Sequence, residues 1–466
     1  MNNLYIQVIL CLVTLFPYIS SQQEQFIFVY EHCRHGARSP GFSFDSTYTD
    51  EYNNTWFGDG ELTNIGIRMS YILGVRSRLR YQNFLSPTFN AKEILITSTN
   101  SNRTLNTINA QLLGLYPLGT GPTLNENELP KAFPPNQLND DVLNEINSTL
   151  ENNTIIGQLP VLPIHTFDLR YKYIFLDSPD NCARMESYRQ ELINKSSYTK
   201  FFTKLNETYG KELQEYFNKP NRDFLFDFDT VISITDNFIA NVDNARNMDT
   251  FLSYVDKDTF YSLAIELKMM FLYETQCDNM TCIMAASPYF KDMITWMDSR
   301  IEMDIQGKGN EVNYTKPKMV IHGGHDTSLA PIVSFMSDVF GTEKLYVPFG
   351  ANVFFEVYKN NNSEYKVRYL YNDEEMLDVS YEEFKSKVME NVWSNEKINQ
   401  FCENEKEDDD ELKKVLICLV IVFGLTTLIL VISTIFLCVK LQKGKKSSSK
   451  KDAKDLVNNA NIQSLL

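Results

Sequence analysis

The chain has 466 residues, 43% of them hydrophobic, and a formal net charge of −16. That length suffices for one large core with an inserted domain or for two domains, and the acidity gives the chain no reason to seek nucleic acid. The charge is also divided: from Lys440 onward seven Lys face Asp452 and Asp455, a local +5, which leaves −21 for the rest.

Met1 to Gln22 carry no charged side chain, and the apolar run Ile6 to Phe16 is followed by Pro17, Ser20 and Ser21. Residues 1–21 therefore read as a secretory signal peptide. Phe26-Ile27-Phe28-Val29-Tyr30 reads as a buried strand, and Arg34-His35-Gly36-Ala37-Arg38-Ser39-Pro40 follows it. Two guanidinium forks beside an imidazole describe a pocket for a tetrahedral oxyanion that the imidazole could attack. A basic surface loop is the plainer alternative. Gly60 to Gly66 leads into a scaffold helix with Met69, Ile72, Leu73 and Leu79 on or near one face.

A second strand, Ile94 to Thr97, precedes the polar loop Ser98 to Asn102 and then Arg103, after which Leu105, Ile108, Leu112 and Leu115 recur at helical spacing. Residues 125–311 differ in character: they are rich in Tyr, Phe and glycosylation sequons, with helical spacing at Phe201, Leu205, Tyr209, Leu213 and Tyr216. They read as a mostly helical insertion that caps the sheet. A third strand, Met319 to Ile321, is followed by His322-Gly323-Gly324-His325-Asp326-Thr327 and a helix through Leu329, Ile332 and Phe335. Asn352 to Val357 and Tyr365 to Tyr371 read as a hairpin.

The C-terminal part changes again. An acidic juxtamembrane linker, 403–414, precedes 25 uncharged residues, Val415 to Val439, long enough to cross a bilayer. The lysine excess beyond them assigns 440–466 to the cytoplasm and the large N-terminal part to the other side, a single-pass type I arrangement.

In α/β sheets, ligands bind beyond the carboxyl ends of the strands, near helix N-termini. If the three strands are parallel neighbours, Arg34, His35, Arg38, Arg103, His325 and Asp326 converge on one pocket. The fold class expected is α/β, a three-layer sandwich with a mainly parallel central sheet. Its core is split into 22–124 and 312–402 by the cap 125–311.

Of eight Cys, Cys11 falls in the signal and Cys418 and Cys438 in the span. Cys277/Cys282 would close a short loop and Cys182/Cys402 a long one, leaving Cys33 free; connectivity stays open at this stage. Sequons occur at Asn53, Asn102, Asn147, Asn152, Asn194, Asn206, Asn279, Asn313 and Asn361, with Asn102 expected to stay unmodified beside the site.

Arg34-His35-Gly36-x-Arg38-x-Pro40, the intervening Arg103 and the late His325-Asp326 pair resemble the histidine acid phosphatases in type, order and separation. The single-pass topology resembles the lysosomal and prostatic-type members, which leaves the cell surface or a lysosome-like lumen as the location. The resemblance implies hydrolysis of phosphate monoesters through a phosphohistidine on His35. Arg34, Arg38, Arg103 and His325 would bind the phosphoryl oxygens. Asp326, protonated at the start, would be the proton donor to the leaving alcohol. No metal or other cofactor is required, because the arginines neutralise the charge.

Ala37 stands where several animal members have Asp, and Gly323-Gly324 is closer to phytase-type members, which keeps a phytase-like substrate as an alternative. Other readings are a metal site using His32, His35, His322, His325 and Asp326, opposed by the nearby arginines; a catalytically inactive receptor or adhesion ectodomain, opposed by the intact motif set; and a mutase-like enzyme, opposed by secretion and the His325-Asp326 pair. The oligomeric state is open, a dimer among the options.

Overall fold

The structure is a computed structural model that describes residues 24–41, 58–133, 139–167, 182–195, 197–216, 228–246 and 253–462. The signal-peptide reading of 1–21 and the Asn53 sequon lie outside them. The chain forms two compact units, Met1–Cys402 and Glu403–Leu466.

In the first unit seven strands form one sheet: β1 (Gln25–Arg34), β2 (Ile94–Thr99), β3 (His165–Phe167), β4 (Met319–Gly324), β5 (Asn352–Lys359), β6 (Tyr365–Tyr371) and β7 (Glu374–Ser380), in the order β3-β2-β4-β1-β5-β6-β7. β3, β2, β4 and β1 are parallel neighbours, whereas β5, β6 and β7 are antiparallel. The sheet is thus mixed, its parallel character confined to the half that carries the three strand-end motifs. β5 and β6 form the expected hairpin, and β7 extends it.

Helices cover both faces. On one side α1 (Asn64–Arg80) packs on α2 (Asn102–Leu115), and α2 packs on β2 and β4. Ile108, Leu112 and Leu115 of α2 join Val29, Ile94, Ile96 and Ile321 of the sheet in one apolar cluster. Of the apolar residues expected on one face of α1, Leu73 is buried together with Gly66, Ser70, Gly74 and Ser77, whereas Ile72 and Leu79 are about half exposed. The reason is close packing: a Cβ on Gly74 would collide with the Gln111 carbonyl of α2, so small residues form the contact face.

The remaining helices follow in chain order: α3 (Asp140–Leu150), α4 (Ala183–Lys195), α5 (Tyr198–Tyr216), α6 (Phe228–Asp243), α7 (Lys257–Met270), α8 (Asn279–Ile305), α9 (Asp326–Phe340) and α10 (Tyr381–Asn391). α8, α9 and α10 cover the second face of the sheet, where Tyr289, Phe290, Met293, Leu329, Ile332, Phe335 and Phe384 pack on Phe28, Tyr30, Val320 and Phe355. β3 and α8 fall within residues 125–311, yet they extend the sheet and cover it. A separate apolar core joins α5, α6 and α7 through Phe201, Leu205, Leu213, Phe238, Phe260 and Leu267, and it also takes in Ala37 and Phe349. These three helices therefore pack against the loop after β1.

Cys182–Cys402 and Cys277–Cys282 are disulfide-bonded and Cys33 is a buried free thiol. Disulfides fit an oxidising compartment. A last helix, α11 (Asn395–Ile462), contains Leu416–Leu441, 26 residues long and apolar enough to cross a membrane.

Candidate active site

The three strand ends meet. β1 and β2 flank β4 in parallel register, with Arg34 opposite Gly324 and Ser98 opposite Gly323. The turn after β1 is held from both sides: the His35 N–H donates to Gly324 O at 3.0 Å, and Gly350 N–H donates to His35 O at 3.0 Å. Gly36 is required by a close approach, since a Cβ there would lie 2.5 Å from the Gly66 carbonyl at the start of α1. His325 precedes the first residue of α9, and its N–H donates to Ser328 Oγ at 2.9 Å. Asp326 thus sits in the first turn of a helix, where a negative charge is favoured.

All six residues named from the sequence are brought together. Arg34 Nη2 lies 2.9 Å from Asp326 Oδ2, and Nη1 donates to Val347 O at 2.6 Å. Arg103 Nη2 donates to His325 Nδ1 at 3.4 Å, while His325 Nε2 hydrogen-bonds Thr99 Oγ1 at 3.0 Å. The His35 and His325 rings are 5.6 Å apart. His35 Nδ1–H donates to Gly36 O at 2.9 Å, which commits that nitrogen and leaves Nε2 as the basic one. Burial, followed by the fields of Arg34, His325, Arg38 and Arg103, holds the His35 pKa well below that of an ordinary histidine, so the ring is neutral. Burial and Arg103 push His325 down to about 3, against the opposing pull of Asp326.

Burial alone would raise the Asp326 pKa, but Arg34, Lys268 and Arg38 together hold it far below the ordinary carboxylate range. Asp326 is paired with Arg34 and lies beside Lys268.

Residues outside the motifs complete the site. Phe349 lies under the guanidinium groups of Arg34 (4.3 Å to the ring centroid) and Arg38 (5.5 Å), with the His35 ring at 5.7 Å. From α6, Asp236 takes the Arg38 fork in a bidentate pair (2.8 and 3.1 Å) and accepts from Gly41 N–H at 3.0 Å. From α7, Lys268 Nζ lies 3.6 Å from Asp236 Oδ1 and 3.7 Å from Asp326 Oδ2. Asp236 is held strongly ionised: burial opposes this, and Arg38 and Lys268 outweigh it. The available signal was a charge on an otherwise apolar helical face, Asp236 with Ile232 and Ile239, Lys268 with Ala264 and Leu267.

His32 and His322 lie side by side on β1 and β4, rings 4.5 Å apart, and are engaged by Ser328 Oγ (2.9 Å) and Thr97 Oγ1 (2.7 Å). Gly324 leaves no room for a Cβ because His32 and Ser328 fill that space. The donors nearest the pocket, His35 and His325, stand among guanidinium groups, a poor setting for a dication. What the arrangement offers a tetrahedral dianion is the guanidinium groups of Arg34, Arg38 and Arg103 with a neutral imidazole beside them.

The profile of the histidine phosphatase superfamily, branch 2, matches residues 25–372. Lysosomal acid phosphatase of Xenopus laevis is 37% identical over 110 residues, 23% of this chain and 25% of that protein. Testicular acid phosphatase of Homo sapiens is 36% identical over 111 residues, 23% of this chain and 26% of that protein. The matched segments thus span about a quarter of those relatives. A Hafnia alvei phytase solved in complex with myo-inositol hexakis sulphate shares the fold, with TM-score 0.50, 14% identity and coverage of 80% of this chain and 98% of that one. A match running from the first residue of β1 into the turn after β6 takes in all three strand-end motifs, and the chain belongs to the histidine phosphatase superfamily, branch 2.

Proposed function

We propose that the protein is an acid phosphatase that hydrolyses phosphate monoesters through a phosphohistidine intermediate. The observation that carries this reading is His35: neutral, with Nδ1–H committed to Gly36 O, and surrounded by cations. Charge balance supports it. Arg34, Arg38, Arg103 and Lys268 against Asp236 and Asp326 leave two positive charges, matched by the two negative charges of a phosphate monoester dianion.

In the first step His35 Nε2 attacks phosphorus in line, and the bond from phosphorus to the alcohol oxygen breaks. Arg34, Arg103 and His325 hold the phosphoryl oxygens, with Arg38 at the edge of the set. Asp326 gives the leaving oxygen a proton. That proton enters with a monoanionic substrate, or is taken up once the phosphoryl group draws Arg34 away from the carboxylate. In the second step water attacks phosphorus, Asp326 accepts its proton, and the N–P bond breaks to release phosphate. No metal enters either step. Helices of residues 125–311 cap the pocket, and the physiological substrate is a small phosphomonoester selected there.

The apolar segment Leu416–Leu441 and the two disulfides support a membrane-anchored enzyme with its active site lumenal or extracellular, at the surface or in a lysosome-like compartment. Turnover of p-nitrophenyl phosphate by the purified full chain at acidic pH, with label from a radioactive phosphomonoester trapped on His35 by rapid quench, is the expected result. No turnover across a panel of phosphomonoesters, inositol hexakisphosphate included, would favour the inactive-ectodomain reading.

A further inference from the structure

We propose that Lys268 is a positioning residue: it fixes the carboxyl group of Asp326 from the cap side and sets the pH range over which Asp326 transfers a proton. The inference rests on the phosphatase reading above. Lys268 lies in α7 on the face that carries Phe260, Leu263, Ala264 and Leu267 into the cap core, and is only 6% exposed. Burying an ammonium group is costly unless it is paired, and an apolar residue there would pack at lower cost. Neither carboxylate needs it for partners. Asp236 already has the Arg38 fork and Gly41 N–H, and Asp326 has Arg34 and the Thr327 N–H at 3.0 Å. The charge is therefore one the packing does not ask for, held between two acids.

The groups around Asp326 divide into two sets. Arg34, His35 and Arg38 face it from β1 and the following turn, Arg103 from α2, and His325 precedes it on its own helix. Tyr346, from the stretch before β5, and Tyr273, from the turn after α7, also lie in its field. The arginines are placed to take phosphoryl oxygens, so bound substrate shares their field. Tyr273 and Tyr346 are neutral at acidic pH because burial raises both. Lys268 remains as the cation whose field on Asp326 the phosphoryl group does not take. The backbone at this point is unusual too: α7 passes directly into one π-helical turn, Phe271–Thr275, a form frequent at functional sites. Tyr273 in that turn donates to Leu345 O at 2.8 Å, tying it to the same stretch as Val347 and Phe349.

A cation favours the ionised carboxyl group. Its removal lets Asp326 keep its proton to higher pH, and the descending limb of kcat then moves upward. The test is the pH dependence of kcat for full-length wild type and Lys268→Met on an alkyl phosphate and on p-nitrophenyl phosphate. At 3.7 Å and an effective dielectric of about 20, the alkyl-phosphate limb should move up by about one to three pH units. The p-nitrophenyl phosphate limb, whose leaving group needs little protonation, should move far less, and Lys268→Arg should restore the wild-type profile. Should the Met variant fail to fold, Lys268→Gln keeps a polar head in place and carries the same test. An unmoved limb, or equal movement for both substrates, overturns the inference while leaving the phosphatase reading intact. A wild-type chain without turnover defeats both.

Discussion

The candidate site has two walls of different construction. The sheet wall is built where strands end: Arg34 closes β1, His35 and Arg38 follow it, Arg103 lies in the first turn of α2 after β2, and His325 and Asp326 lead from β4 into α9. The cap wall is built from helix faces, where Asp236 and Lys268 emerge from an otherwise apolar core. The sheet wall carries the groups proposed to react, whereas the cap wall holds charges opposite two of its residues, Arg38 and Asp326. If the proposed roles hold, the two walls should fail differently.

The largest effect belongs to the sheet wall. His35→Ala should lower kcat by on the order of 10⁵-fold or more, because the covalent route is closed while the phosphate site remains. Binding of inorganic phosphate by calorimetry should survive the substitution. Full activity in His35→Ala would move the nucleophile elsewhere. Asp326→Asn comes next, with a loss of about 10²–10⁴-fold on alkyl phosphates and a smaller one on p-nitrophenyl phosphate. Equal losses on both would remove the proton-donor role and blur the contrast between the walls.

The two walls also differed in how far the sequence disclosed them. Each sheet-wall residue follows a short β-branched or aromatic run, so strand, loop and charge could be read together. Parallel neighbourhood was the one assumption, and β1–β4–β2 pairing supplies it. The antiparallel β7 went unread because its Glu374-Glu375-Met376-Leu377-Asp378 start is polar and only half buried. Asp236 and Lys268 were hidden for another reason. Each stands alone in a helical stretch, and its partner lies 198 residues away for Asp236–Arg38, a distance only the tertiary fold closes. Phe349 was equally silent, since an aromatic residue near a turn carries no mark of the arginines stacked over it. Asp326 stands directly after the third strand run and was legible there, whereas its neighbour Lys268, from a distant helix, was not.

Removing a cap-wall counter-charge should show in stability first. Asp236→Ala leaves the Arg38 guanidinium, 8% exposed, without its bidentate partner, at a cost of about 3–5 kcal/mol in chemical denaturation. The sign with pH follows from the depressed pKa of Asp236. Its contribution is complete above the unfolded carboxyl pKa and is lost only as pH falls through the lower folded value. The bridge therefore persists through mildly acidic conditions, and the penalty of Asp236→Ala should be undiminished between about pH 5 and pH 7. A penalty that fades already near pH 6 would mean that the carboxylate is not held as described.

The smallest effect tests whether the sheet wall, too, is fitted to acid. Glu31 lies on β1 three residues before Arg34 and is fully buried; Gln111 Nε2 donates to its Oε1 at 2.5 Å. Burial pushes its pKa up to about 8, with Gln111 opposing, so the folded protein keeps this carboxyl protonated through the acidic range. A raised folded pKa contributes stability that is fully present below the unfolded value near 4.5 and is lost as pH rises toward 8. Glu31→Gln keeps the shape and the Gln111 contact but cannot ionise. Its Tm should match wild type near pH 4.5 and exceed it by roughly 2–4 °C near pH 8, as thermal scans at the two pH values would show. Because the substitution lies outside the reacting set, the gain should come without the altered kcat limb expected for Lys268→Met. Identical Tm values at both pH values would mean that Glu31 is not held protonated, and acid adaptation would then rest with the site alone.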